Sequence, residues 1–361
     1  MGSSTTGRPD TVIGLGTLRL VAAAWVALAH GARPPLAEVA VLHPALAPLA
    51  ALNNALFNGV AAVMLFFVVS GFVIHLPQTG GRELSVLEHF ARRLLRIVPP
   101  VLVVHTIAVL AGGEILTRFR DILWSVHCEI AYYLAYPLLL AAFRRFGTLR
   151  VLLVAFAVSF VVIGFHASTP YYSELPLLPL VVVGLPCWIL GCVLAEEHAA
   201  GRLRPFGDLR LWRLGAVGLS ALLKVPVTHG PLLVGFPASH WLFAVYAYFW
   251  IAQEILGFRR VAPPRLGEIG GEASYSLYLV HFPLILSLQP LLRLALGTSG
   301  STAGDLAIAA VWWVFEVAAL VAVTGAYYLV IERPFHRAAR RLGGWLRDRG
   351  AASAAATAGR R

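Results

Sequence analysis

Long apolar segments separated by short polar ones follow one another along the chain from residue 12 onwards. A run of about 20 apolar residues is long enough to cross a bilayer as an α-helix, and such runs recur ten times here. The third and seventh runs are the weakest, because Pro99, Pro100 and Lys224 interrupt them. The pattern predicts an all-α fold, a polytopic membrane helix bundle of about ten transmembrane helices. The predicted spans cover residues 12–31, 58–77, 95–112, 121–143, 149–167, 176–195, 211–229, 233–256, 273–293 and 308–331.

Arginines are concentrated in alternate connections between the predicted spans, and this asymmetry indicates the topology. Cytoplasmic loops of membrane proteins carry an excess of Lys and Arg, so the arginine-rich connections and the C-terminal segment are predicted to be cytoplasmic. The even number of spans agrees with both termini on the cytoplasmic side. The rich connections hold Arg82, Arg92, Arg93, Arg96, Arg144, Arg145, Arg150, Arg202, Arg204, Arg210, Arg213, Arg259, Arg260 and Arg265, and the alternate ones hold Arg33, Arg118, Arg120 and Arg293.

The composition excludes a soluble domain of this size. Of the 361 residues, 58% are hydrophobic and 13% are charged, and the mean hydropathy is +0.76. The net charge of +11 is explained by the cytoplasmic arginines and their contact with anionic headgroups, and its scattered distribution argues against a nucleic-acid partner. We predict one membrane domain over residues 1–340, followed by a basic, disordered cytoplasmic tail of low complexity over residues 341–361.

Two ionisable residues, Arg19 and His30, interrupt the first predicted span. Such groups inside a membrane span are energetically costly and are usually functional. A separation of eleven residues returns them to within about 20° of one helix face, ~16 Å apart along the axis. Both side chains are therefore predicted to face the interior of the bundle. The alternative is that Arg19 snorkels to the headgroups and that His30 ends the helix at the far interface.

Glu129 lies near the outer end of the fourth predicted span, at the depth where His30 ends the first. A carboxylate beside an imidazole fixes the tautomer of the ring and raises its basicity. We therefore expect the two side chains to meet and to deprotonate a hydroxyl group. Under the alternative interpretation, Glu129 is an interfacial charge capped by Trp124 and Ser125.

Three arginines open the third predicted span in the run HFARRLLRIVPP. Arg93 and Arg96 are three residues apart and so share a helix face, and guanidinium groups suit phosphate. A phosphorylated donor is therefore predicted to dock at the cytoplasmic side with its chain pointing into the bundle. Ordinary positive-inside anchoring is the alternative, and it is favoured for Arg92.

The other ionisable residues in the spans carry weaker expectations. Lys224 and Glu316 each require a partner within the membrane, and a structural pair between them is as good an interpretation as a substrate role. No metal and no permanently bound cofactor are predicted, because His30, His127 and His281 are widely spread and lack the i, i+4 spacing of metal ligands.

Six landmarks occur along the chain in order. They are Arg19 followed by ten residues and His30, FFVVSGFVI with Ser70, RRLLRIVP, LWSVHCEIAYYLAYP with Glu129, ASYSLYLVHFP, and ERPFHR. From about Gly14 to Arg337, this order resembles the acyltransferase family 3 membrane proteins, within the wider transmembrane acyltransferase group. A single Arg–His spacing is weak evidence, whereas six ordered landmarks are specific.

The resemblance implies the transfer of an acyl group, often acetyl, from cytoplasmic acyl-CoA to a hydroxyl of a glycan or a glycosylated natural product. The family's fourth-span motif usually reads WSLSVE, so His127 is additional here, and it either competes with His30 as base or lies at the interface. The implied catalytic residues are His30, Glu129 and Arg19, the implied CoA contacts are Arg93, Arg96 and Arg92, and the candidates for substrate binding are Ser70, Tyr278, His281 and His127.

The implied mechanism places the CoA phosphates at the cytoplasmic mouth, the pantetheine arm past Arg19 and the thioester near His30. Direct deprotonation of the acceptor by His30 and a covalent acyl-histidine step both remain open. The expected partners are acyl-CoA, a hydroxyl-bearing acceptor and membrane lipids, and the expected location is the bacterial cytoplasmic membrane. The alternative function is a polytopic transporter of a small solute or a lipid-linked sugar, which buried charges and proline-broken spans also suit.

Overall fold

The computed structural model describes residues 12–166, 169, 171–229 and 236–358, and within these residues every regular element is helical. The predicted all-α fold is therefore confirmed. The α-helices are α1 (Leu15–Ala27), α2 (Leu36–Leu42), α3 (Ala47–Leu56), α4 (Gly59–His75), α5 (Val86–Ala111), α6 (Gly113–Ile122), α7 (Trp124–Phe146), α8 (Thr148–Phe165), α9 (Leu177–Ala199), α10 (Leu209–His229), α11 (Phe236–Phe258), α12 (Arg265–Glu272), α13 (Ser274–Ala295), α14 (Thr302–Tyr327) and α15 (Arg333–Ala358).

Nine helical segments of the described chain are long and apolar enough to cross a membrane. They include α1, α4, α5, α7, α8, α9, α11, α13 and α14. The predicted window 211–229 corresponds to α10, which packs against α11 but is not counted among the nine. Within the described residues, the windows for the other spans each fall on a helix, so the apolar runs located these helices correctly.

The core of the bundle is the crossing of α4 and α9, whose backbones touch. A Cβ atom on Gly71 would lie 1.9 Å from the carbonyl oxygen of Trp188, and one on Gly191 would lie 2.0 Å from that of Val68. Small residues allow membrane helices to approach this closely, and van der Waals packing then holds them together. Most of α4 is buried as a result, which gives the site a rigid wall.

A carboxylate fixes the start of α1. Glu268 on α12 accepts hydrogen bonds from the Thr17 backbone N–H at 2.8 Å and from the Thr17 hydroxyl at 2.7 Å. The first N–H groups of a helix lack partners within the helix, and a negative charge at this end is favoured by the helix dipole. Gly271 of α12 lies so close to Gly16 that a Cβ on it would meet the Gly16 oxygen at 2.2 Å. These contacts set the position of Arg19, two residues further along α1.

Helix α5 continues through Pro99 and Pro100 without ending, and α15 packs alongside it. Glu88 of α5 lies 3.9 Å from the guanidinium of Arg347 on α15. The sequence predicts a disordered tail from residue 341, whereas α15 continues to Ala358 and residues 359–361 lie outside the described range. Packing against α5 supplies this part of the chain with contacts that its low-complexity composition does not reveal.

Candidate active site

Two cavities lie in the bundle, and their linings contain most of the predicted site residues. The first, which we call the arginine pocket, has about 860 Å³ of space between its atoms, and the second, the histidine pocket, about 1070 Å³, with part of each space open to solvent. The polar lining of the arginine pocket is Arg19, Ser70, Arg93, Arg96, Ser125, Glu129, Tyr133, Tyr275 and Tyr278. The histidine pocket is lined by His30, Asn58, Gly59, Arg118, Asp121, Ile122, Trp124, Tyr172, Glu174, Lys224, Phe282 and five further residues.

Three guanidinium groups face the arginine pocket from two helices, Arg19 from α1 and Arg93 and Arg96 from α5. None of the three makes a hydrogen bond or an ion pair with any side chain in the described part of the chain. Arg93 lies over the ring of Tyr133 at 5.9 Å. Each guanidinium carries five N–H donors, so the pocket presents many free donors and a concentrated positive charge. Such an arrangement suits a phosphate or another anion.

Glu129 also lines this pocket, where it is held by hydroxyl groups. Ser70 Oγ donates to Glu129 Oε1 at 3.2 Å, and the Tyr133 hydroxyl donates to the same oxygen. The indole N–H of Trp188 in turn donates to Ser70 Oγ at 3.3 Å. The carboxylate is therefore oriented by α4, α7 and α9 together, and its negative charge lies among the three arginines.

His30 lies in a π-helical turn, Leu28–Ala32, that follows α1. Gly31 has a φ of 136°, which residues with a side chain rarely adopt. A Cβ atom there would also lie 2.8 Å from Ile285 Cγ2. The guanidinium of Arg33 donates to the carbonyl oxygens of Leu28 at 3.2 Å and Ala29 at 2.7 Å. The Arg33 hydrogen bonds and the packing of Gly31 against Ile285 thus fix the conformation of the turn. Such π-helical turns are frequent at functional sites.

The expected contact between His30 and Glu129 is not present, because His281 of α13 is the partner instead. His30 Nδ1 lies 3.0 Å from His281 Nε2, and the two rings are stacked with centroids 5.2 Å apart. Glu129 belongs to the arginine pocket, while His30 lines the histidine pocket. The prediction compared only the depths of the two residues along their helices, and depth does not determine which helices are lateral neighbours.

Tyr278 connects the linings of the two pockets by hydrogen bonds. The hydroxyl of Tyr278 lies 2.6 Å from the carbonyl oxygen of Ile122, to which it donates, and 2.7 Å from Ser125 Oγ. Tyr278 and Ser125 line the arginine pocket, whereas Ile122 lines the histidine pocket. This hydrogen-bonded contact between α13 and the α6–α7 junction therefore forms part of the partition between the pockets.

Three predicted contacts, Arg92, His127 and His281, lie outside the linings of the two pockets. Arg92 forms an ion pair with Glu88 at 2.8 Å and packs against Gly343 of α15, so it follows the anchoring interpretation and does not join Arg93 and Arg96. His127 is exposed and lines neither pocket. It is separated from Glu129 by two positions on α7, and residues two apart do not share a helix face. The structure therefore does not bring His127 to the other predicted site residues, and its role in substrate binding stays a prediction.

Sequence reasoning missed several residues of the two linings. Tyr133 follows Glu129 by four positions, so the i, i+4 spacing on α7 was an available signal. Arg118 and Asp121 belong to α6, a short polar helix that apolar windows do not detect. Lys224 donates to the Asn54 backbone oxygen at 2.7 Å and to that of Phe57 at 3.0 Å, which replaces the expected pair with Glu316.

The described residues contain no group of three or more His, Cys, Asp or Glu side chains arranged to hold a metal ion. The histidine pocket contains aromatic faces together with charged groups of both signs. Trp124 and Tyr172 are stacked with ring centroids 4.5 Å apart. A ligand there would meet aromatic faces and a few hydrogen-bonding side chains, as in most small-molecule sites.

Comparison with known proteins gives two matches. A family described as an acyltransferase domain matches residues 12–331. Acyltransferase MdmB of Streptomyces mycarofaciens is 27% identical over 329 residues, which cover 77% of this chain and 81% of that protein. No solved structure matches the chain significantly. The matched range 12–331 contains all of the residues that line the two pockets.

Proposed function

Because the chain belongs to acyltransferase family 3, we propose that it moves an acyl group, in the first instance acetyl, from cytoplasmic acyl-CoA to a hydroxyl group of a glycan or a glycosylated natural product. Membership of the family, together with nine membrane-length helices among the described residues, supports a membrane acyltransferase. The proposal adds to this the identity of the donor, the class of acceptor and the roles of individual residues.

One observation carries the proposal, namely that a pocket with three unpaired arginines adjoins a pocket with a positioned histidine. Acyl-CoA has a matching division, with several phosphates at one end and a reactive thioester at the other. Arg19, Arg93 and Arg96 would bind the phosphates. His30 lies ~16 Å from Arg19 along α1, and the extended pantetheine arm would run between them past Tyr278.

His30 is the general base in this proposal. Its imidazole takes the proton of the acceptor hydroxyl while the oxygen attacks the carbonyl carbon of the thioester. The C–S bond then breaks, and the imidazolium returns its proton to the leaving thiolate, which releases CoA and neutral His30. A covalent acyl-histidine intermediate fits the same geometry, with His30 attacking the thioester first. Glu129 lies in the arginine pocket, and its proposed role is to orient the donor and the arginines.

The acceptor would bind in the histidine pocket. The aromatic faces of Trp124, Tyr172 and Phe282 suit the C–H faces of a sugar ring, while Asp121 and Arg118 provide an acceptor and a donor for its hydroxyl groups. The arginine pocket would then open to the cytoplasm, with both chain termini on that side of a bacterial cytoplasmic membrane, in agreement with the arginine-rich connections.

The experiment that tests the function uses the purified full-length chain in lipid nanodiscs with acetyl-CoA. Release of free CoA thiol and formation of acylated product are followed with a panel of glycans and glycosylated small molecules. We expect CoA release that depends on the acceptor and disappears in His30→Ala but not in His127→Ala, the matched control on the exposed face of α7. Solute flux without CoA release would overturn the proposal in favour of a transporter.

A further inference from the structure

His281 is fully buried on α13 and lines neither pocket, yet its Nε2 lies 3.0 Å from Nδ1 of the His30 ring. The other nitrogen of its own ring, Nδ1, lies 2.7 Å from the carbonyl oxygen of Tyr278 and 3.2 Å from that of Leu277. A carbonyl oxygen only accepts hydrogen bonds. His281 Nδ1 must therefore carry a proton to satisfy these contacts.

The proton on His281 Nδ1 determines whether the other ring nitrogen, Nε2, carries a proton or a lone pair. A neutral imidazole has one N–H and one lone pair, so His281 Nε2 carries the lone pair. That lone pair faces His30 Nδ1 at 3.0 Å, and the contact is a hydrogen bond only when His30 Nδ1 carries a proton. The second ring nitrogen of His30, Nε2, is then left with its lone pair.

The lone pair of His30 Nε2 is located on the side of the ring that adjoins α4. An ideal Cβ atom on Gly59 would lie 3.7 Å from His30 Cε1 and 3.8 Å from His30 Nε2, and both Gly59 and His30 line the histidine pocket. The absence of a side chain at position 59 keeps this edge of the imidazole clear. The basic nitrogen thus lies on the edge of the ring nearest Gly59, which belongs to the pocket lining.

We propose that His281 is a positioning residue that holds His30 in the Nδ1–H tautomer, with Nε2 free to accept a proton from the acceptor hydroxyl. The part of this proposal that concerns turnover rests on the proposed function. In the reaction, His30 Nε2 gains the acceptor proton and later returns it to the thiolate. His30 Nδ1–H stays bonded to His281 throughout, and the reaction requires no proton transfer to His281.

The arrangement differs from a carboxylate-backed histidine in one respect. A carboxylate partner stabilises an imidazolium by charge, whereas a neutral imidazole provides only orientation and a hydrogen bond. His281 therefore acts by selecting the correct tautomer and ring plane before the reaction. The stacked geometry of the two rings, with an interplanar angle of 25°, and the edge contact of Phe282 with His30 at 5.2 Å restrict the ring further.

The first test reads the tautomer directly and needs no turnover. The chain is labelled with nitrogen-15 at histidine, and the ring signals of His30 are assigned by their loss in His30→Gln. We expect the Nδ1–H form in the wild type and in His127→Gln, the matched control, and a mixture or the Nε2–H form in His281→Leu. The Nε2–H form in the wild type would overturn the proposal whether or not the chain is an acyltransferase.

The second test uses kinetics to separate positioning from a general structural role. In His281→Leu we expect kcat to fall by roughly 10²-fold, at the lower end of what general base catalysis contributes, while the KM for acyl-CoA stays unchanged. In His281→Gln the amide oxygen can accept a hydrogen bond from His30 Nδ1–H. We therefore expect kcat in this variant to be at least roughly tenfold higher than in His281→Leu. An unchanged kcat in His281→Leu, or equal losses in the two variants at equal stability, would overturn the positioning role.

Discussion

The arginine pocket and the histidine pocket adjoin each other across Tyr278, but they differ in whether their basic side chains have hydrogen-bond partners. Arg19, Arg93 and Arg96 have no hydrogen-bond partner among the described residues, whereas His30 is bonded to His281 and Lys224 to two backbone carbonyls. Partly buried charges without partners are costly, so under the proposed function the phosphates of the donor would complete the first pocket. In the second pocket, the proposed base His30 is already held by a hydrogen bond before any ligand binds.

Under the proposed function, this difference implies that substitutions in one pocket affect donor binding and substitutions in the other affect the acyl-transfer step. Changes in the arginine pocket should alter the dependence of the rate on donor concentration. Changes in the histidine pocket should alter the rate at saturating donor. The four predictions below test this division, beginning with the largest expected effect.

Removing the base should have the largest effect. His30→Ala is expected to lower kcat by roughly 10²- to 10⁴-fold, the range that general acid–base catalysis contributes, because no other described side chain replaces the imidazole at that edge of the pocket. Binding of acyl-CoA, measured by calorimetry, should be retained. Near wild-type turnover would reject His30 as the base. Loss of acyl-CoA binding would show that the two pockets do not act separately in binding and chemistry.

Removing one arginine should affect the donor alone. Arg96→Ala is expected to raise the KM for acyl-CoA by roughly 10- to 100-fold, since a hydrogen bond to a charged group contributes about 1.5–3 kcal/mol, and to leave kcat at saturation nearly unchanged. Arg92→Ala is the matched control, because Arg92 pairs with Glu88 outside the pocket. Equal shifts in the two variants would indicate a general surface charge effect.

Straining the π-helical turn should weaken the positioning of His30. Gly31→Ala is expected to cost about 1–3 kcal/mol of stability, as a residue with a side chain resists a φ of 136°, and its methyl group would press on Ile285. We also expect a lower kcat with an unchanged KM for acyl-CoA. Gly164→Ala on α8, where a Cβ meets no atom within 4 Å, is the control, and a loss of stability of equal size there would contradict the explanation.

Loosening the partition should have the smallest effect. Tyr278→Phe keeps the ring but leaves the Ile122 carbonyl without its donor, a loss of about 0.5–1.5 kcal/mol. We expect a roughly few-fold rise in acceptor-independent CoA release, because water enters more readily between the pockets. Tyr328→Phe removes a hydroxyl that bonds to Glu272 away from both pockets, and a rise of equal size in that variant would argue against a partition at Tyr278.

The helices and the candidate site were predictable to different extents. Apolar windows located the described spans because burial of the backbone in lipid requires long helices, and the ordered landmarks identified the family. The same information favoured anchoring for Arg92 over a place beside Arg93 and Arg96 but did not identify its partner. All three lie within five positions on α5, and the structure shows that Arg92 pairs with Glu88 of the same helix and packs against Gly343 of α15, while the other two line the pocket.

By itself, the sequence determined the all-helical class, the number of spans to within one or two, the family, and the residue types at the site. These follow from local hydropathy, spacing and motif order. Only the tertiary structure decided that His281, 251 positions away, is the partner of His30 and that Glu129 belongs to the other pocket. Lateral neighbours in a bundle are chosen by close contacts such as Gly71 against Trp188, and the depth of a residue in its own helix carries no information about them.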